Sequence, residues 1–518
     1  MRIATAAQMA EIDRETIAGG MPGLELMENA GREMAWQLLW DFPELEPPAT
    51  VTVVCGKGNN GGDGLVVARM LEPLGYDVHV LMLAGPDALS PDARTNFDRL
   101  PVSVTRETVP PERWAGAVRE RDEASDLIVD AVFGTGIVPP VRGDYAVLFA
   151  AVNAGTCPVL SLDIPSGVCG DGGVVDPVAI HADATVTVGL PKLGLLLPPG
   201  RDHAGRLSVV DIGFDEAACA RHTDDLHYLL PADYADLLPA RASDAHKYDA
   251  GTALVLAGSR RFGGAALLAG LGALRSGAGL VTLALPEPHA PAALGFVPEA
   301  LVRGLPTGAT GVLAPLAPET WADLTARQDA LAVGPGLGDD PDTDAWLADR
   351  LGKVERPLVI DADGLSAFAR LGREPRFAHG EVVLTPHGGE LARLAAVAPG
   401  ALPEDRLQLA PALARRWNAV LVAKGSPTLI AAPDGALAIN PTGDDALAHG
   451  GTGDVLTGLI GGLLAQGLPA FEAALLGCWL HGRAGELAAE ELGSRRVLMA
   501  REIADRLGAA FAELELLA

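Results

Sequence analysis

Three segments bring carboxylate, amide and hydroxyl oxygens together with glycine where an apolar run ends. Val51–Cys55 runs into Gly56-Lys57-Gly58-Asn59-Asn60-Gly61-Gly62-Asp63-Gly64; Asp130 is followed by Gly134-Thr135-Gly136; Asp163-Ile-Pro165-Ser166-Gly167 closes a third run. Five glycines in nine residues cost backbone entropy. That cost is explained if the backbone must approach a ligand and offer N–H groups to a phosphate; the plainer reading is a tight turn. The loop fits neither the G-x-G-x-x-G dinucleotide fingerprint nor a Walker A loop. Asn60, Asp130 and Ser166 are oxygen donors of the kind a hard cation takes, whereas Asp130 and Asp163 taken singly could cap turns. A positioned carboxylate such as Asp163 can shuttle a proton, with Lys192 adding charge.

The second half carries a different set: His246–Gly251, Gly258-Ser259, Gly263–Ala266, Gly334–Gly338, Asp361-Ala-Asp363-Gly364, Thr385–Glu390 and Lys424–Thr428. The strongest is Gly450-Gly451-Thr452-Gly453-Asp454-Val455-Leu456-Thr457-Gly458, read as opening a helix. Free N–H groups of a first turn make an anion hole for a migrating phosphoryl group. Asp454 beside it could take a proton from a hydroxyl acceptor; a simple helix start is the plainer reading.

Elements must hold these residues in place. Val51–Cys55, Asp77–Leu83, Leu127–Val132, Val159–Leu162, Ala184–Val188 and Leu207–Ile212 read as buried strands alternating with helices, which implies a mostly parallel sheet covered on both faces. Regularity fades over 215–240, so a boundary is expected there. A second series follows: strand Ala253–Leu256, helix Gly264–Ser276 and strand Leu280–Leu285, then strands Leu331–Val333, Leu358–Ile360, Val382–Leu384, Val420–Val422 and Thr428–Ala431. A mainly helical stretch ends the chain.

The 518 residues suffice for two to four domains. The net charge of −28 argues against nucleic-acid and anionic-membrane binding. Five cysteines without C-x-x-C spacing suit a reducing, cytoplasmic setting and no zinc site. No signal peptide or membrane span is read. Of 39 Lys plus Arg only five are Lys, and Lys57, Lys192, Lys247 and Lys424 fall in or beside the motifs. A lysine kept against that background suggests a compact ammonium where Arg would not serve.

Across residues 1–220, Gln8–Asp13, Leu26–Gly31, the Gly56–Gly64 loop, Gly134–Gly136, Asp163–Gly167 and Pro191–Leu195 resemble the NAD(P)H-hydrate epimerase family. Across 241–518, the second set resembles the ribokinase-like superfamily and, within it, the nucleotide-dependent NAD(P)H-hydrate dehydratases; His481–Gly485 and Met499–Ile503 agree as well. His387, where related kinases tend to have Asn, favours dehydratase over kinase, while His449 stands where a small residue is expected. The resemblance implies an α/β chain with an N-terminal Rossmann-like three-layer domain (1–222), a linker (223–240) and a C-terminal ribokinase-like α/β domain (241–518). It implies potassium held by Asn60, Asp130 and Ser166. It implies epimerase substrate contacts at Asn59, Asn60, Gly61, Gly62, Asp63, Gly134, Thr135, Gly136, Ile137, Val138, Pro139, Pro140, Asp163 and Lys192. In the second half it implies contacts from Ala265, Gly338, His387 and Asp454 to the hydrated cofactor. Lys424, Gly425, Ser426, Pro427, Thr428 and Gly453 then contact ADP, with Mg2+ as phosphoryl transfer requires; Glu390 is an outer-shell candidate. Asp163 and Asp454 are the expected catalytic residues. Small-molecule substrates and a homo-oligomer are expected. The competing readings are a ribokinase-like small-molecule kinase fused to a cofactor-binding domain, and a non-catalytic nucleotide-binding protein.

Overall fold

Helices α1 (Ala6–Ala18) and α2 (Gly23–Asp41) precede β1 (Thr50–Cys55), which leads directly into α3 (Asn59–Leu71). Then come β2 (Asp77–Met82), β3 (Thr105–Thr108), β4 (Leu127–Ala131), β5 (Val159–Leu162), β6 (Ala184–Val188) and β7 (Arg206–Val210). Every residue of β4 and β5 is buried, as expected of central strands covered on both faces. The seven strands lie in the order β3-β2-β1-β4-β5-β6-β7, with all neighbours parallel. The order reverses between β1 and β4, and that reversal opens a crevice beyond their carboxyl ends.

Ten further strands form a second sheet. They are β8 (Leu226–Tyr228), β9 (Thr252–Leu256), β10 (Leu280–Pro286), β11 (Leu301–Leu305), β12 (Ala330–Val333), β13 (Leu358–Ile360), β14 (Val382–Leu384), β15 (Val420–Ala423), β16 (Leu429–Ala431) and β17 (Leu437–Ile439). Their order is β11-β10-β9-β12-β13-β14-β15-β16-β17-β8, parallel from β11 to β15 and antiparallel from β15 to β17. Here the order reverses between β9 and β12. The helices Gly263–Arg275, Thr452–Ala465, Ala470–Leu492 and Ala500–Glu515 pack their apolar faces into one core with this sheet.

This computed structural model describes residues 1–397 and 402–518, and the chain divides into two compact units, Met1–Leu226 and His227–Ala518. Within 223–240, read from sequence as a linker, the chain forms β8 and the helix Pro231–Ala235, with Tyr234 fully buried against Trp479. Among the described residues no helix is long and apolar enough to cross a membrane. All five cysteines are free.

Candidate active sites at the ends of two sheets

In the first unit, only Gly56–Gly58 form a loop; Asn59–Asp63 lie in the first turns of α3. The helix thus begins within the glycine run, which corrects the reading of the whole run as a turn. A Cβ on Gly56 would strike the Val132 carbonyl, and one on Gly61 the Gly56 carbonyl. On Gly62 it would meet Met27 Sδ at 2.5 Å, and on Gly64 the Ala131 Cβ at 2.6 Å. These four glycines let α3 sit tightly on β1, β4 and α2. The capping residue Gly58 makes no side-chain hydrogen bond to the first turn of α3, so that turn's N–H groups are uncapped by it.

Around this helix start the three strand ends converge. Asn60 Nδ2 donates to the carbonyls of Phe133 (2.8 Å) and Leu162 (3.1 Å), which fixes the orientation of the amide. Its Oδ1 is buried and accepts no hydrogen bond among the described residues, an arrangement that native interiors rarely leave without a polar or ionic partner. Asp130, at the end of β4, accepts from Ser161 Oγ (2.9 Å), Ser166 N (2.9 Å) and Ser166 Oγ (2.6 Å). The orphaned amide oxygen, the buried carboxylate and the hydroxyl are all oxygen donors of the kind a hard cation takes.

Asp163 follows β5 with φ of 66°, a left-handed conformation that a non-glycine residue adopts only when its surroundings impose it. Lys192, only 1% exposed, lies 2.8 Å from Asp163 Oδ1 and donates to Thr187 Oγ1 (2.9 Å) and the Val188 carbonyl (2.8 Å). Thr187 Oγ1 in turn donates to Asp163 Oδ1 at 3.3 Å, and Thr135 N to Oδ2 at 3.2 Å. The carboxylate is therefore paired with an ammonium and held in one orientation. Asp63 has no such cation: burial, with the charges of Asp163 and Asp13 nearby, holds its carboxyl well above the usual range, and Lys192 only partly offsets this. Asn59, Asn60, Asp63, Gly134–Val138 and Asp163 line one cavity of about 600 Å3. Gly61, Gly62, Pro139 and Pro140 do not line it.

In the second unit, Gly451 caps the helix Thr452–Ala465 with φ of 94°, a conformation open to glycine, and no side chain caps that helix. Asp454 sits in its first turn. Burial, then the negative charge of Asp361, pushes its carboxyl up to about 7, against the pull of Lys424. Asp361, at the end of β13, accepts from Lys424 Nζ (2.8 Å) and Thr457 Oγ1 (2.7 Å). It thereby ties the Lys424–Thr428 loop to the helix start. Gly453 sits beside this pair, a Cβ there lying 3.3 Å from Lys424 Nζ. Buried His481 donates its Nε2–H to the Thr452 carbonyl (2.9 Å), and burial brings its pKa down to about 4, so it is neutral at pH 7.

The remaining strand ends surround these groups. Gly258 N donates to the Pro335 carbonyl (2.8 Å), Ser259 Oγ to that of Gly336 (2.8 Å), and Gly338 N to Asp363 Oδ2 (2.8 Å). Ala265 lies on the helix that Gly263 opens, and Gly336 packs so close that a Cβ on it would lie 2.7 Å from the Ala265 Cβ. His387 bridges to Lys424 through the backbone and caps the helix Gly388–Ala395: its Nδ1 accepts from Gly389 N (3.0 Å), while its own N–H donates to Glu390 Oε2 (2.9 Å). Its side chain is 56% exposed, and its Nε2 lies 3.5 Å from Glu390 Oε1. His449 is bound to the backbone carbonyls of Ala446 and Arg496. No cluster of three His, Cys, Asp or Glu suited to a metal occurs among the described residues.

Sequence reasoning gave no role to three residues here. Asp361 lay in a quoted motif without a partner, and Thr457 was an unremarked member of the helix motif. Arg406 donates to the carbonyls of Ala423 (2.7 Å) and Pro427 (2.9 Å) and so fastens both ends of the Lys424–Thr428 loop. Only the unusual burial of a guanidinium reveals it.

Each unit gathers carboxylates and a lysine beyond the carboxyl ends of parallel strands, the layout of an α/β enzyme with a site for a small-molecule ligand. Residues 253–507 match the family model described as NAD(P)H-hydrate dehydratase, and residues 23–194 match that of the YjeF-related protein N-terminus. A bifunctional NAD(P)H-hydrate repair enzyme from Moorella thermoacetica is 40% identical over 99% of this chain and 97% of its own. The chain belongs to the family of bifunctional NAD(P)H-hydrate repair enzymes. Among solved structures, a ribokinase-like superfamily protein from Enterococcus faecalis is 24% identical with a TM-score of 0.50, covering 56% of this chain and 97% of its own, so the second unit has the ribokinase-like fold. An ADP/ATP-dependent NAD(P)H-hydrate dehydratase from Bacillus subtilis, co-crystallised with ATP and Mg2+, is 36% identical with a TM-score of 0.48, over 55% of this chain and 98% of its own.

Proposed function

We propose that the chain repairs hydrated NADH and NADPH: residues 1–222 interconvert the R and S forms, and residues 241–518 dehydrate the S form with ADP, giving NAD(P)H, AMP and phosphate. The observation that carries this reading is Asp454, a half-buried carboxyl with no ion pair of its own among the described residues, at the uncapped start of a helix beside the Lys424–Asp361 pair. Asp163 and Asp454 are the catalytic residues.

In the first half the substrate carries a hydroxyl on C6, next to the ring nitrogen. The nitrogen lone pair expels that hydroxyl, and its return from the other face inverts the centre. Asp163, oriented by Lys192 and Thr187, moves the proton. Asn59–Asp63 and Gly134–Pro140 bind the rest of the substrate. Potassium on Asn60, Asp130 and Ser166 would supply fixed positive charge beneath the helix start.

In the second half Asp454 removes the proton of the C6 hydroxyl as it attacks the β-phosphoryl group of ADP. The uncapped helix start and Gly453 receive the developing negative charge. The hydroxyl has then become a phosphate ester, a good leaving group. The ring nitrogen expels phosphate, and loss of the C5 proton restores the dihydropyridine. Lys424–Thr428 hold the nucleotide, and Ala265, Gly338 and His387 hold the substrate. Magnesium would neutralise phosphate charge during transfer. The choice of ADP over ATP follows the bacterial pattern of fused chains. The assignment includes a cytoplasmic location, which suits free cysteines, and a homo-oligomer, checked by sedimentation.

Product analysis tests the reading. With the S form of hydrated NADH and ADP, AMP and phosphate form in equal amounts with NADH. A stable phosphorylated product in place of free phosphate would establish the small-molecule kinase instead.

A further inference from the structure

The first unit contains a second cavity of about 260 Å3 that shares Asn59, Asp63, Thr135, Asp163 and Val188 with the larger one. Its other walls come from α1, α2, the segments after β6 and β7, and Asp92 on the helix Pro91–Asp98. Met9, Ile17, Met27 and Phe214 make those walls apolar, and Lys192 reaches it but not the larger cavity. The two chambers thus meet at Asp163, with Lys192 on the side of the smaller one. They differ in chemistry as well as in size. The larger has Lys57 and the uncapped start of α3, which suit phosphates. The smaller falls below the roughly 300–1,000 Å3 that encloses a whole drug-sized ligand, and a single substituted ring fills it better.

One polar group stands out in the smaller chamber. Asp13 projects from α1 and makes no hydrogen bond or ion pair among the described residues, although it is half-buried and faces Asp63. Burial pushes its carboxyl above the usual range. A partly desolvated carboxylate without a donor is unfavourable, and a primary amide offers two N–H donors to satisfy it.

On the epimerase reading above, we propose that the hydrated dihydronicotinamide ring enters the smaller chamber, that Asp13 accepts from its carboxamide N–H groups, and that the ribose, pyrophosphate and adenosine remain in the larger chamber. The substrate then threads the junction, and C6 lies beside Asp163 and Lys192, where the proton must move. Asp13 is a specificity-determining residue, because it reads the carboxamide and not the reacting carbon.

Two variants of the full chain test this. Ala10 lines the smaller chamber from an exposed position on α1, so A10W fills the chamber at its mouth while leaving the core unchanged. It lowers kcat/KM for R–S interconversion at least tenfold, yet binds ADP-ribose, which lacks the ring, within twofold of the wild type. The second variant is D13L, compared on hydrated NADH and on the hydrate of its 3-acetylpyridine analogue, whose acetyl group has no N–H. The wild-type chain prefers the carboxamide by roughly tenfold or more, the size of a hydrogen bond to a charged group, and D13L removes that preference. Wild-type interconversion by A10W, loss of ADP-ribose binding in A10W, or a preference that survives D13L would overturn the two-chamber assignment. If the wild-type chain itself does not interconvert the two forms, the epimerase reading fails first and separately.

Discussion

Lys192 and Lys424 perform one task in two unrelated sites: each presents a compact ammonium to a buried carboxylate, Asp163 at 2.8 Å and Asp361 at 2.8 Å. Replacing Lys192 by Met leaves Asp163 buried without its cation, and breaking a buried pair in this way costs about 3–5 kcal/mol. Urea unfolding of K192M checks that loss; a midpoint unchanged from the wild type would mean that the pair contributes nothing. Asp454 makes a prediction in pH. Its folded-state value, about 7, lies above the ordinary 3.8. Between those limits the folded chain keeps a proton that the unfolded chain releases, so the contribution of Asp454 to stability falls as pH rises through that window and is level above it. As a base it must be ionised, so kcat/KM for dehydration rises with pH to a midpoint near 7. In D361N, with a negative charge removed, the same limb moves to lower pH. Asn60, Asp130, Asp163 and Ser166 were legible as candidates from their place near strand ends next to glycine, and Asp454 from its Gly-rich helix start. The sequence did not reveal that Asp361 partners Lys424, because the two lie 63 residues apart and meet only through the order of β13, β14 and β15.

At the scale of elements, glycine is the recurrent device, and its use is packing. The helices Gly263–Arg275 and Thr452–Ala465 cross so closely that a Cβ on Gly458 would run into the Ala269 carbonyl. G458A therefore forces the helices apart at about 1–3 kcal/mol, read as a lower melting temperature for the second unit together with a raised KM for ADP, since the displaced helix carries Gly453 and Asp454. A variant of wild-type stability would contradict the crossing. Central strands were legible from their apolar runs, often to within a residue. The strands β3 and β11 were not, because at sheet edges their residues are largely exposed and leave no apolar pattern. The start of α3 was read too late because Asn-Asn-Gly-Gly is weak as helix and strong as turn on propensity alone. Packing against β1, β4 and α2 overrides that preference.

At the scale of the whole molecule, each unit completes one strand-end site from its own residues. The dehydratase step is proposed to accept one epimer, whereas hydration of the ring gives both. The epimerase step supplies the other half of the damaged cofactor, so the intact chain repairs an equimolar mixture fully and D163N repairs half of it. Of this scheme, sequence resemblance carried the order of the two activities and the motif positions; the pairing of each acid with its neighbours required the folded chain. The most direct measurement follows the near-ultraviolet absorbance of the dihydronicotinamide ring while the purified chain acts on an equimolar mixture of hydrated NADH epimers with ADP, magnesium and potassium. The account predicts complete, ADP-dependent recovery of NADH absorbance that is abolished in D454N. Recovery without nucleotide, or undiminished recovery in D454N, would contradict it.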